Sequence, residues 1–194
     1  TANQTMDYDP ISQVDEGTGN VILLDFNNAT GQVTNPVQLL EGYNVYSVEF
    51  SSGGTKAYAS VAESIDGQSS QARLFQWNLE ATDIIGSQYG FSGVTGSSAG
   101  AIQLAPNGKI YRSIIGSSML GVINNPELPG PSSDYTESTS EGAIELAGQT
   151  ATFGLPPFIQ SLFATKIDIV GNDTQQVDLC DGQNFTLSYE NLDN

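Results

Sequence analysis

The chain has no histidine and a single cysteine, so chemistry at neutral pH would fall to carboxylates, tyrosine, lysine or a bound hard cation. Ser–His–Asp and Cys–His nucleophile pairs, HExxH zinc sites and multi-cysteine metal sites are excluded by composition. Cys180 has no second cysteine to pair with inside the 194 residues. Two stretches carry side-chain oxygens at suggestive spacing. Asp25-Phe26-Asn27-Asn28-Ala29-Thr30-Gly31 alternates them as a calcium loop would, but lacks the closing Glu of an EF-hand. Asp134, Glu137, Glu141 and Glu145 follow Pro129-Gly130-Pro131, and read as a solvated insertion or as a contact for a cation or partner. A glycosidase needs two carboxylates about 5 to 9 Å apart, and no pair stands out among 22 acidic residues. Tyr8, Tyr43, Tyr46, Tyr89 and Trp77 could stack on sugars, although Trp77 at the end of a strand fits packing between sheets better. No catalytic, cofactor-binding or metal-binding residue is assigned.

Charge narrows the partners. Against the 22 acidic residues stand only Lys56, Arg73, Lys109, Arg112 and Lys166, for a formal net charge of −17. That balance opposes a phosphate-neutralising nucleic-acid surface and basic docking to an anionic bilayer. With 38% hydrophobic residues the chain is no disordered acidic tail, and its length suffices for a real core. No apolar run reaches 18 residues, so no membrane span is expected. The opening Thr1-Ala2-Asn3-Gln4 lacks an initiator Met and a signal pattern, so the chain reads as an internal or processed portion of a longer polypeptide. Asn-x-Ser/Thr triplets at Asn3, Asn28, Asn172 and Asn184 suit an extracellular surface.

Positioning these residues falls to strands. Apolar residues alternate, or cluster in short runs bounded by Gly, Asn, Pro and Ser, which is the all-β pattern. Strands are expected over 21–26, 33–40, 45–50, 72–77, 101–104 and 120–123. They recur as a unit. Val48-Glu49-Phe50-Ser51-Ser52-Gly53-Gly54-Thr55-Lys56-Ala57-Tyr58 is echoed about 54 positions on by Ile102-Gln103-Leu104-Ala105-Pro106-Asn107-Gly108-Lys109-Ile110-Tyr111. Each copy is an apolar strand, a glycine turn, Lys, then a strand carrying Tyr. Glycine supplies the positive φ of a tight hairpin, and Pro106 pre-sets its first corner. About four short strands per period of roughly 46 to 54 residues is the signature of β-propeller blades. About three blades fit residues 10–165, fewer than most closed rings, so further blades or a covering partner are expected at the open edges. Residues 166–194 read as the start of an Ig-like or PKD-like module.

The motifs themselves are familiar. Tyr46-Ser47-Val48-Glu49-Phe50-Ser51 with its Gly-Thr-Lys turn, 100–111, Leu120-Gly121-Val122-Ile123-Asn124-Asn125-Pro126 and 153–161 together resemble, in order, the propeller-like region of Bacteroidetes type IX secretion substrates. These are the gliding-motility-associated or type B sorting-domain surface proteins. Two departures are Gly148-Gln149-Thr150-Ala151, where the family commonly carries an Arg, and Arg112-Ser113, where small residues usually follow the Tyr.

The resemblance implies a secreted or cell-surface protein outside the outer membrane. Its propeller would be a non-enzymatic platform for proteins or glycans, with outer-membrane secretion or gliding components as partners. It also makes 25–31 an inter-strand turn. The alternatives are a structural spacer of a large adhesin and a carboxylate-based polysaccharide hydrolase.

Overall fold

The computed structural model describes residues 2–3, 6–9, 14–17, 19–64 and 69–156, so the expected module at 166–194 and the domain boundary at 165 lie outside the described residues. The fold is all-β. Its strands are β1 (Ala2–Asn3), β2 (Met6–Asp9), β3 (Val14–Gly17), β4 (Gly19–Asn27), β5 (Gln32–Phe50), β6 (Lys56–Ser64) and β7 (Ser70–Asn78). After them come β8 (Tyr89–Gly90), β9 (Ile102–Leu104), β10 (Ile110–Ser113), β11 (Met119–Ile123), β12 (Tyr135–Thr136) and β13 (Ile144–Glu145). One sheet runs β1-β4-β5-β6-β7-β8; the other runs β12-β11-β10-β9, with β13 also on β11; β2 and β3 form a separate hairpin. All pairings are antiparallel, and neither large sheet closes on itself.

β5 serves two partners in succession. Gln32 to Tyr43 pair with β4, and Asn44 to Phe50 pair with β6. The second half of β5 begins one four-stranded meander, β5-β6-β7-β8, and β9 begins another, β9-β10-β11-β12. Both open on the same hairpin. In the first, the Ser51 N–H donates to Lys56 O (3.0 Å) and the Gly54 N–H to Ser51 O (2.9 Å). In the second, the Ala105 N–H donates to Lys109 O (2.8 Å) and the Gly108 N–H to Ala105 O (2.9 Å). Gly54 and Gly108 occupy the same left-handed position, at φ 70° and 76°. The expected equivalence of the two turns holds, with Thr55 as one extra residue in the first. A Cβ at Gly108 would meet open space, so only the backbone penalty would oppose alanine there. Gly108→Ala should cost about 1 kcal/mol, read as a lower urea midpoint at unchanged slope.

Alternation sorts the core onto two faces of β6 and β7. Tyr58, Ala72 and Leu74 join Phe91, Val94, Ile102, Ile110 and Ile123, a cluster that lies between the two large sheets. Ala59, Val61 and Trp77 join Val21, Leu39, Leu40 and Val45 from β4 and β5. Buried on both faces, β6 carries an unbroken buried run from Lys56 to Ala62. The two sheets also meet edge to edge. Ser47 Oγ accepts the Ile102 N–H (3.2 Å), and Glu49 Oε2 accepts the Leu104 N–H (3.0 Å).

Residues 129–145 depart from the solvated-insertion reading. Tyr135 and Thr136 pair with Ile123 and Val122, and Ile144 and Glu145 pair with Leu120 and Met119. Ser133 is fully buried. The segment returns to the sheet because β11 would otherwise lack a neighbour on that side.

Candidate functional site

One concentrated set of converging polar groups lies where the first hairpin turn meets the β11–β12 connection. After Ile123, the Leu128 N–H donates to Asn125 O (3.0 Å), closing a tight turn with Pro126 in its second place, where its fixed φ suits. That turn presents Glu127 to residues 51–55. Its carboxylate accepts from Ser51 Oγ (2.9 Å), Ser52 Oγ (3.0 Å), Thr55 Oγ1 (2.7 Å) and the Gly53 N–H (2.5 Å). Behind Thr55, the buried Lys56 ammonium donates to the same Thr55 Oγ1 (3.0 Å) and lies 3.9 Å from Glu80. A cation, a hydroxyl and a carboxylate thus line up.

The connection is pinned independently of Glu127. The Tyr58 hydroxyl donates to Pro126 O (2.7 Å), and Gln76 donates to Leu128 O (2.8 Å) and accepts the Gly130 N–H (2.6 Å). Burial, chiefly, pushes the Tyr58 hydroxyl up to about 12, so it remains a donor.

For Glu127, partial burial raises the pKa. The Gly53 amide and the Thr55, Ser51 and Ser52 hydroxyls outweigh it and hold the carboxyl below its ordinary value. A depressed folded-state pKa adds stability that is present above the unfolded carboxylate pKa and is lost as pH falls through the folded one. Glu127→Gln should therefore flatten the acid limb of the stability curve below roughly pH 4.5. Urea midpoints measured across that range check it; an unchanged limb would show that the four donors do not discriminate charge.

A second network centres on a buried guanidinium. Arg112 on β10 is turned into the core, its side chain 1% exposed. Its Nη1 donates to Tyr135 OH (3.0 Å) and Glu137 Oε1 (3.1 Å), and its Nη2 to Thr95 O (2.9 Å). Glu137 also accepts from Tyr135 OH (2.6 Å), the Thr95 N–H (2.9 Å) and the Thr95 hydroxyl. Burial first, countered by Arg112 and reinforced by Glu137, holds the Tyr135 hydroxyl well above its ordinary pKa. The arrangement fixes protons in place, and each of the three ionisable groups bonds to another within it.

The residues singled out in the sequence scatter. In 25–31, Asn27 Oδ1 accepts the Ala29 and Thr30 N–H groups (3.0 and 3.2 Å), and Asp25 accepts from Asn35 (2.7 Å), which makes the segment the β4–β5 turn. Asp134 accepts from Asn124 (3.0 Å), Glu141 from Thr136 (2.6 Å), and Glu145 lies in β13. Among the described residues no group of three or more His, Cys, Asp or Glu is placed to hold a metal. Trp77 is fully buried in core. Tyr43 lies edge-on to Phe75 and Tyr89 edge-on to Phe91, and Tyr46 packs its half-exposed ring on Phe153 at 5.7 Å. The side chain of Tyr8 lies outside the described residues.

Sequence reasoning passes over Glu127 altogether. Arg112 stands out in the sequence only as a departure from a pattern, although a lone Arg two residues from a core isoleucine on one strand is a signal for a buried partner. No family model, curated protein or solved structure matches the chain.

Proposed function

We propose that the chain is part of a β-propeller-like, non-enzymatic secreted or surface protein of the type IX secretion and gliding system, located outside the outer membrane. In this reading its blades are an interaction platform for outer-membrane secretion or gliding components, or for surface glycans. The observation that carries the architecture is the pair of successive four-stranded meanders opening on equivalent glycine turns. The side-chain link from β5 to β9 fits neighbouring inner strands of such blades. A platform role is favoured over hydrolysis because Arg112, Tyr135 and Glu137 bond to one another inside the fold. The sequence resemblance supplies the secretion system and the location. No helix among the described residues is long and apolar enough to cross a membrane.

Size-exclusion chromatography with mass spectrometry on native material tests the reading. A larger polypeptide with further repeats, or a complex with outer-membrane proteins, is expected. A stable monomer of these 194 residues alone, with no partner, would overturn it. Glycan binding without turnover would separate a platform from a hydrolase.

A further inference from the structure

We propose that the 51–55 turn is a carboxylate-binding site held closed by the chain's own Glu127, whose place a ligand carboxylate can take. The inference stands apart from the propeller reading, since it rests on one turn and its donors.

Three observations carry it. Four donors from Ser51, Ser52, Gly53 and Thr55 converge on one carboxylate whose own residue is more than 70 positions away in the chain. This is the donor set of an oxyanion site, assembled locally within one five-residue turn and needing nothing from the remote loop but the anion. Lys56 adds a buried positive charge one hydroxyl removed from that anion, in a chain otherwise strongly negative. The rim is open to solvent: Ser52, Gly53 and Gly54 are exposed and Glu127 is half-buried.

The loop does not depend on Glu127 for its position. Tyr58 and Gln76 hold the Pro126, Leu128 and Gly130 backbone, so the side chain can swing out while its loop stays in place. The donors engage both oxygens of a single carboxylate, which makes a carboxylate the fitting ligand class.

Chemical rescue is the test. Glu127→Ala should lower the unfolding midpoint, and acetate, compared with chloride at equal ionic strength, should return most of that loss. It should also shift the Gly53 amide resonance saturably in the variant. The wild-type chain should show both responses only weakly and at much higher acetate concentration, because the ligand must displace the chain's own carboxylate from the turn. Adding Thr55→Ala to Glu127→Ala should weaken acetate binding about tenfold, the effect of losing one charge-assisted hydrogen bond. Should Glu127→Ala fold poorly, Glu127→Gln serves in its stead. Its amide keeps the bulk of the side chain without the charge, so acetate should displace it at a lower concentration than it displaces the wild-type carboxylate. Equal midpoints in acetate and chloride for the variant, or equal stabilisation of the wild type by acetate, would overturn the proposal. So would an acetate affinity undiminished by loss of Thr55.

Discussion

Arg112→Met should destabilise the protein by about 3 to 5 kcal/mol, the cost of stranding a buried charge by removing its partner. The substitution keeps an unbranched apolar stem of similar length, so the loss is chiefly electrostatic. Glu137, 13% exposed at its side chain, would retain Tyr135 and Thr95 as donors but no counter-charge. At roughly 2–4 °C per kcal/mol for a chain of this size, the thermal midpoint should fall by about 10 °C. The double replacement Arg112→Met with Glu137→Gln should recover a large part of the loss, because a neutral amide costs less to bury than an unpaired carboxylate. A double variant no more stable than the single one would mean that the guanidinium acts through its bond to Thr95 O and not through charge.

Trp77→Ala is the other large effect, expected at about 3 to 5 kcal/mol. The indole is fully buried among Val21, Leu39, Leu40, Val45, Ala59 and Val61, so it joins β4 and the first half of β5 to the β6–β7 pair. Its removal leaves a cavity among the side chains of β4, β5 and β6. Among the described residues the Nε1–H has no acceptor, so Trp77→Phe sacrifices volume but no hydrogen bond seen there. It should cost less than half as much as alanine. Because Trp77 is the only tryptophan, the phenylalanine and alanine variants are followed by circular dichroism in urea. Equal losses for the two would locate the contribution in something other than packed volume.

The strands are legible in the sequence because their physics is local. β4, β6, β7, β10 and β11 sit where alternating or clustered apolar residues place them, and Gly54 and Gly108 occupy the turns that need a left-handed residue. The long β5 reads in the sequence as two strands, 33–40 and 45–50. Its change of partner after Tyr43 shows that the division is physically sound even though the backbone runs on. The region 129–145 is not legible. β12 and β13 have two residues each, too few for any period, and their pairing is imposed by the exposed side of β11. The two polar networks are hidden for a different reason. Ser51, Ser52 and Thr55 look like any turn, and the partner that gives them meaning lies beyond Ile123. Likewise, Glu137 looks like one more acid in an acidic loop until the fold sets Arg112 beneath it.

The edge-to-edge contact between β5 and β9 bears on what hydrogen exchange would see. The amide hydrogens of Ile102 and Leu104 bond to the side chains of Ser47 and Glu49, whereas the Ser113 N–H on the neighbouring strand bonds to the Ala101 carbonyl. The first two amides can thus be released by the sheets drawing apart while the β9–β10 ladder stays intact. Their exchange rates are a gauge of sub-global opening, and Ser113 marks the deeper event. A ligand or neighbouring protein that clamps the two sheets would slow Ile102 and Leu104 selectively, giving a binding readout that does not depend on where the partner docks.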